Sequence, residues 1–137
     1  MKRILAALCL FLLAVSASYA AESNAMNNLA WYRLHLGMGT GEHALSPHVV
    51  REFSAKEIAS RFPSGFTVTP TIGLWTPPGG NGLVNEKATI IDVYCPDTPE
   101  NNEKINQIGN TYVERFKKSK RSVYILRIPS VDATFWH

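Results

Sequence analysis

The chain has 137 residues, 45% hydrophobic and 18% charged, with nine Gly, eight Pro and a formal net charge of +3. That composition excludes a disordered, collagen-like or Pro-rich chain, and the length suits one domain. With two cysteines, no disulfide-stapled scaffold is expected.

Lys2 and Arg3 precede an apolar run from Ile4 to Val15, and Ser18-Tyr19-Ala20 supplies small residues at a cleavage site. This reads as a secretory signal over residues 1–20, too short to span a bilayer. Cys9 follows Leu8 inside the run, which does not suit a lipoprotein. Removing 20 of 137 residues leaves 117, and two of the 14 basic residues leave with the leader. Twelve then face 11 acids, for a net +1. A near-neutral exported domain has no general electrostatic reason to bind nucleic acid. The expected location is periplasmic or secreted, with no membrane span after cleavage. Cys95 alone survives processing, either buried or able to pair between chains; its apolar stretch favours burial.

Residues 21–30 are small and polar and read as a disordered lead-in to a single α+β domain over 31–137. Trp31 to Met38 reads as strand one, followed by a glycine-rich turn, Gly37 to Gly41. Ser46-Pro47 starts a helix with Val49, Val50, Phe53, Ile58 and Phe62 on one face, its period imperfect near Lys56. Pro63 ends it. Phe66 to Trp75 is strand two, at an edge or bulged because Pro70 cannot donate to a ladder. Pro77 to Gly82 forms a mobile hairpin loop, and Lys87 to Cys95 is a central third strand. Asp97-Thr98-Pro99-Glu100 opens the second helix, with Ile105, Ile108, Tyr112 and Phe116 in a helical stripe. Arg121 to Ile128 is strand four, ended by Pro129. The order β-α-β-β-α-β predicts the ferredoxin-like fold, a four-stranded antiparallel sheet with two helices on one face.

Arg61-Phe62-Pro63-Ser64-Gly65-Phe66-Thr67-Val68, followed by Gly73-Leu74-Trp75, forms a recognisable pattern. With Tyr32, Leu36-Gly37, Glu86-Lys87, Tyr112, Phe116 and Ser122-Val123 in order, the chain resembles the bacterial domain of unknown function family 3574 over about residues 31–128. A tail ending Phe135-Trp136-His137 departs from that pattern. The resemblance implies an exported ferredoxin-like domain. It implies no activity and supplies no catalytic residue.

Gly37-x-Gly-x-Gly41 lacks the G-x-G-x-x-G spacing of a dinucleotide loop and reads as a strand-to-helix turn. His35, His43 and His48, beside Glu42 and Glu52, carry zinc-ligand chemistry, yet strand, loop and helix positions do not bring them together, so no metal or cofactor is expected. The basic run Arg115, Lys117, Lys118, Lys120 and Arg121 reads as a solvated helix end. No Ser-His-Asp set or nucleophile elbow is visible.

Strand alternation defines the candidate site. With the helices on the more apolar face, the open face collects Trp31, Arg33, His35, Asp92, Tyr94 and Arg127. Trp31, Arg33, Tyr94 and Arg127 are candidate binding residues. His35 and Asp92 are candidate proton-transfer groups, since imidazole titrates near neutrality and a carboxylate can orient it. Two functions remain open: a binding or interaction module that uses this face as a homodimer or for a small-molecule ligand, or a cofactor-independent enzyme working on the same face.

Overall fold

The computed structural model describes residues 28–80, 82–117 and 122–131. The predicted signal over 1–20, most of the predicted lead-in, Lys118, Lys120 and Arg121, and the tail after Val131 lie outside the described residues. Strand β1 spans Leu29–Gly39, helix α1 Pro47–Phe53, β2 Thr67–Trp75, β3 Val84–Pro96, α2 Pro99–Arg115 and β4 Val123–Val131. The sheet order is β2-β3-β1-β4, and every neighbouring pair is antiparallel. This is the expected ferredoxin-like arrangement, with β1 and β3 in the centre.

Several boundaries move, each for a local reason. Strand β1 begins two residues early because Leu29 and Ala30 are buried and pair with Pro96 and Cys95, so these two leave the predicted lead-in. Strand β3 begins at Val84, three residues before Lys87, because the β2–β3 ladder continues to Trp75 opposite Val84. Strand β4 runs past Pro129. Its register slips between Leu29 and Trp31 of β1, and an irregular edge strand absorbs a proline there. Pro70 also lies on an edge strand, as its missing N–H requires.

The first helix departs further. Ser46 caps α1 by accepting from the Val49 N–H, and Pro47 fills the first turn. The α-helix stops at Phe53 and widens into a π-turn over Ser54–Ile58, closed by Ala59 N–H donating to the Ser54 carbonyl. The wider turn explains the broken period near Lys56. Phe53 and Ile58, five residues apart, both reach the core.

Helix α2 follows its predicted stripe. Thr98 accepts from the Asn101 N–H, Pro99 takes the first turn, and Ile105, Ile108 and Tyr112 are fully buried. They pack on Tyr32, Leu34 and Leu36 of β1 and Ile91 and Val93 of β3. Each such aliphatic side chain contributes about 1.5–3 kcal/mol by leaving water. Gly109 lets α2 lie close on β4, since a Cβ there would stand 3.0 Å from Ile125 Cδ1. Gly65, in the turn after Pro63, holds φ at 117°, a conformation that favours glycine.

Candidate functional site

Cross-strand register assigns each side chain to a face. Trp31 lies opposite Tyr94, Arg33 opposite Asp92, and His35 opposite Ile90. The alternate residues Tyr32, Leu34, Leu36, Ile91 and Val93 are buried under the helices. Trp31, Arg33, His35, Asp92 and Tyr94 therefore share the open face, as expected.

Arg127 does not join them. It pairs in register with Tyr32 and so points to the helix side, where its Nη2 donates to both oxygens of Asp97, at 2.5 and 2.6 Å, just before α2. Strand β4 is apolar on both sides, so alternation alone left its facing unsettled. The ladder places Tyr124 opposite His35, Leu126 opposite Arg33 and Ile128 opposite Trp31. These three belong to the open face, and sequence reasoning missed them. Tyr124 is 61% exposed and Tyr94 43%.

The polar groups of this face bind one another. Asp92 accepts Arg33 Nε at 2.7 Å on Oδ1 and Arg33 Nη2 at 3.0 Å on Oδ2. Trp31 Nε1 donates to the same Oδ1 at 2.7 Å. The Arg33 guanidinium also lies 4.6 Å from the Trp31 ring centroid, and Tyr94 stacks on Trp31 at 5.9 Å with 13° between planes. Hydrogen bonding from Arg33 is the main cause holding the Asp92 carboxyl below its ordinary pKa, and the same pair raises that of Arg33.

His35 meets the ring of Tyr124 edge-on at 5.7 Å. Among the described residues no hydrogen bond joins His35 to Asp92. The orienting contact that proton transfer between them needs is not formed, because Arg33 and Trp31 already hold Asp92.

The other candidate chemistry is dispersed. Gly39 and Gly41 adopt positive φ in the turn after β1, but the Gly39 N–H is taken by Glu86 Oε1 at 2.7 Å. His48 pairs with Glu52 on the surface of α1, away from His35 on the sheet. Among the described residues no group of three or more His, Cys, Asp or Glu is placed to hold a metal ion. Arg115 pairs with Glu57, and Lys117 with Glu114. No described helix is long and apolar enough to cross a membrane.

Shallow hollows mark the described surface. One of about 620 Å³ lies between α1 and the end of α2, over Phe53 and Phe116. A second, of about 430 Å³, lies between α2 and β4, along Gly109, Val113, Val123 and Ile125. The third, of about 160 Å³, lies beside Phe62, Pro63 and Tyr94. Only Tyr94 among their linings belongs to the open face.

No curated protein matches the chain. Among solved structures, it is similar to a phage SAM lyase in complex with S-methyl-5'-thioadenosine, with 17% identity, a TM-score of 0.53, and coverage of 81% of this chain and 94% of that one. The same lyase in its apo state matches with 16% identity, a TM-score of 0.54 and the same coverage. At such identity the likeness concerns the fold. The family model described as "protein of unknown function (DUF3574)" matches residues 32–135, and the chain belongs to that family.

Proposed function

We propose that this chain is a small exported binding module that works through the open face of its sheet by packing against a second copy of itself. The observation that carries this reading is the state of that face: Trp31, Arg33 and Asp92 satisfy one another, while Tyr94, Tyr124 and Leu126 remain exposed around them. Groups already paired lose little on being covered, whereas exposed rings gain by leaving water. Tyr, Trp and Arg are also the residues enriched at protein interfaces. A broad sheet face with its polar groups satisfied suits another sheet better than it suits a substrate.

The test is sedimentation of the purified protein beside a Tyr94→Glu/Tyr124→Glu variant. Two buried like charges per copy should halve the assembled mass. Equal masses for the two proteins would remove the reading. Export is tested by fractionation, with the processed chain expected outside the cytoplasm and starting at residue 21.

One observation favours a second reading, a cofactor-independent small-molecule enzyme. The fold neighbour is a lyase whose structure holds S-methyl-5'-thioadenosine. Tyr94 would then stack a flat ring and His35 would move the proton. Calorimetry with S-methyl-5'-thioadenosine tests it: saturable heat weakened by Tyr94→Ala supports this reading, and no heat sinks it.

A further inference from the structure

The hollow of about 620 Å³ opens between α1 with its π-turn and the end of α2. Its base is aromatic. Phe53 and Phe116 line it, 6.0 Å apart between ring centroids, and Tyr112 packs behind both at 5.1 and 4.9 Å. Phe53 is buried and Phe116 half-buried, while Val49 and Ala55 add aliphatic surface on the α1 side. A mostly apolar lining with a few polar groups is the composition of a small-molecule site. The π-turn sets the outline. Its wider step carries Ala55 and Lys56 past Phe53 into exposed positions, and such turns recur at functional sites. Ala55 offers a single methyl, so the space beside it stays open.

The charges around the hollow do not cancel. Glu57 is shared by Arg61 at 3.0 Å and Arg115 at 2.6 Å, so two guanidinium groups stand on one carboxylate. Glu52 is the other acid here, and it lies 3.5 Å from His48. Among the described residues Lys56 has no ion-pair partner. Lys56, Arg61 and Arg115 therefore outnumber Glu52 and Glu57. Arg115 has capacity left. Its bond to Glu57 uses one of several N–H donors, its side chain is 37% exposed, and its guanidinium lies 5.3 Å from the Phe53 centroid, beside the apolar base. Lys56 on one wall and Arg115 on the other thus stand above an aromatic floor.

We infer that this hollow binds a small amphipathic carboxylate, with its apolar body along Val49, Ala55 and Phe116 and its carboxylate held by Lys56 and Arg115. A purely apolar molecule would leave both cations unused, and a bare anion would sit on surface that cannot bond it. The hollow is shallow, which suits a slender chain lying along the surface. It uses neither Tyr94 nor Tyr124, so it stands or falls independently of packing through the open face.

The experiment follows the Val49 and Ala55 methyl resonances by NMR while octanoate is added to the purified protein. Both should shift and saturate. Octylammonium, with the same chain and the opposite charge, should bind about tenfold more weakly. Lys56→Gln should weaken octanoate about three- to fivefold, and Lys56→Arg should keep it. Ala55→Leu fills the space and should abolish the shift of Val49. Both substituted positions are exposed, and circular dichroism checks the fold; Lys56→Gln removes only a charge and keeps the test decisive if Ala55→Leu does not fold. Methyls that do not respond to octanoate overturn the inference. So does octylammonium binding as well as octanoate, or Lys56→Gln binding like the parent. The same shifts produced by raising protein concentration without octanoate would assign the hollow to a second copy and also overturn it.

Discussion

Arg33 and Asp92 face each other across the central β1–β3 ladder and share two hydrogen bonds, of 2.7 and 3.0 Å. The pair fixes the guanidinium over Trp31, and Asp92 also anchors the indole N–H. One carboxylate therefore sets the position of two neighbours, and Tyr94 stacks on the result. The same hydrogen bonds that make the face a firm platform hold the Asp92 carboxyl below its ordinary pKa.

Asp92→Asn should lower stability by about 1–3 kcal/mol, the usual range for losing charge-assisted hydrogen bonds at a largely buried group. Urea unfolding measures it, and Trp31 fluorescence should shift as the indole loses its acceptor. The acid limb gives an independent check. The folded carboxyl titrates below its ordinary value of 3.8, so the unfolded chain binds the proton first as pH falls. The stabilisation is complete above about pH 5 and fades as pH drops through the folded pKa. The variant's stability should change less with pH over that range; an equally steep acid limb would show that Asp92 is not linked to it.

Glu57 organises the other side of the molecule. Its Oε1 accepts from Arg115 Nη2 at 2.6 Å and its Oε2 from Arg61 Nη1 at 3.0 Å. The π-turn, the start of the Arg61–Val68 turn and the end of α2 thus meet on one buried carboxylate, whose pKa is lowered chiefly by the Arg61 hydrogen bond and next by that of Arg115. Glu57→Gln leaves two guanidinium groups facing a neutral amide and should lose about 2 kcal/mol in denaturant unfolding. Arg61→Lys should recover only part of an Arg61→Ala loss, because Arg61 bonds both the Glu57 carboxylate and its carbonyl. Full recovery by lysine would show that charge alone matters there.

The parts of the fold written in period and punctuation were legible from the chain. The α2 stripe Ile105-Ile108-Tyr112 and the central strand Ile91-Val93-Cys95 lie where their spacing put them. Where two readings were equally apolar, the pattern had nothing to choose with. In β4, Ile125 and Leu126 are equivalent until the ladder with β1 is drawn, and that choice carried Arg127 off the open face and brought Tyr124 and Leu126 onto it. The π-turn registered only as a defect in the α1 period. Pairing within the site was least visible: strand alternation put Asp92 on the same face as His35, whose orienting partner it was expected to be, but the Arg33 guanidinium takes both its oxygens.

Cys95 is buried, which decides between the alternatives that its sequence position left open. Burial pushes its thiol up to about 11, with Asp97 adding to the shift. At pH 8 only about 0.1% of such a thiol is thiolate, the form that reacts. Native protein should resist an aromatic disulfide reagent for hours, while protein in guanidinium should react within minutes. Rapid stoichiometric labelling of the native chain would show that the N-terminal end of α2 opens readily.

Tyr32 has a fully buried side chain whose Oη has no well-formed hydrogen bond among the described residues, although the Arg127 guanidinium lies close enough to interact weakly with it. Burial raises its pKa, and proximity to Arg127 opposes that rise. The ring fills the core between the helices and the central strand, but the hydroxyl gives up water for no more than a weak contact with Arg127. Removing an unsatisfied buried hydroxyl while keeping the ring should be neutral or stabilising by up to about 1 kcal/mol. Tyr32→Phe should therefore unfold at the same urea concentration as the parent or a higher one. The Arg127–Asp97 pair, which does not need the hydroxyl, should keep α2 anchored in the variant. A clear loss of stability on Tyr32→Phe would mean that the hydroxyl reaches a buried water, and a Tyr32→Phe/Arg127→Lys double variant would then show whether the guanidinium holds that water in place.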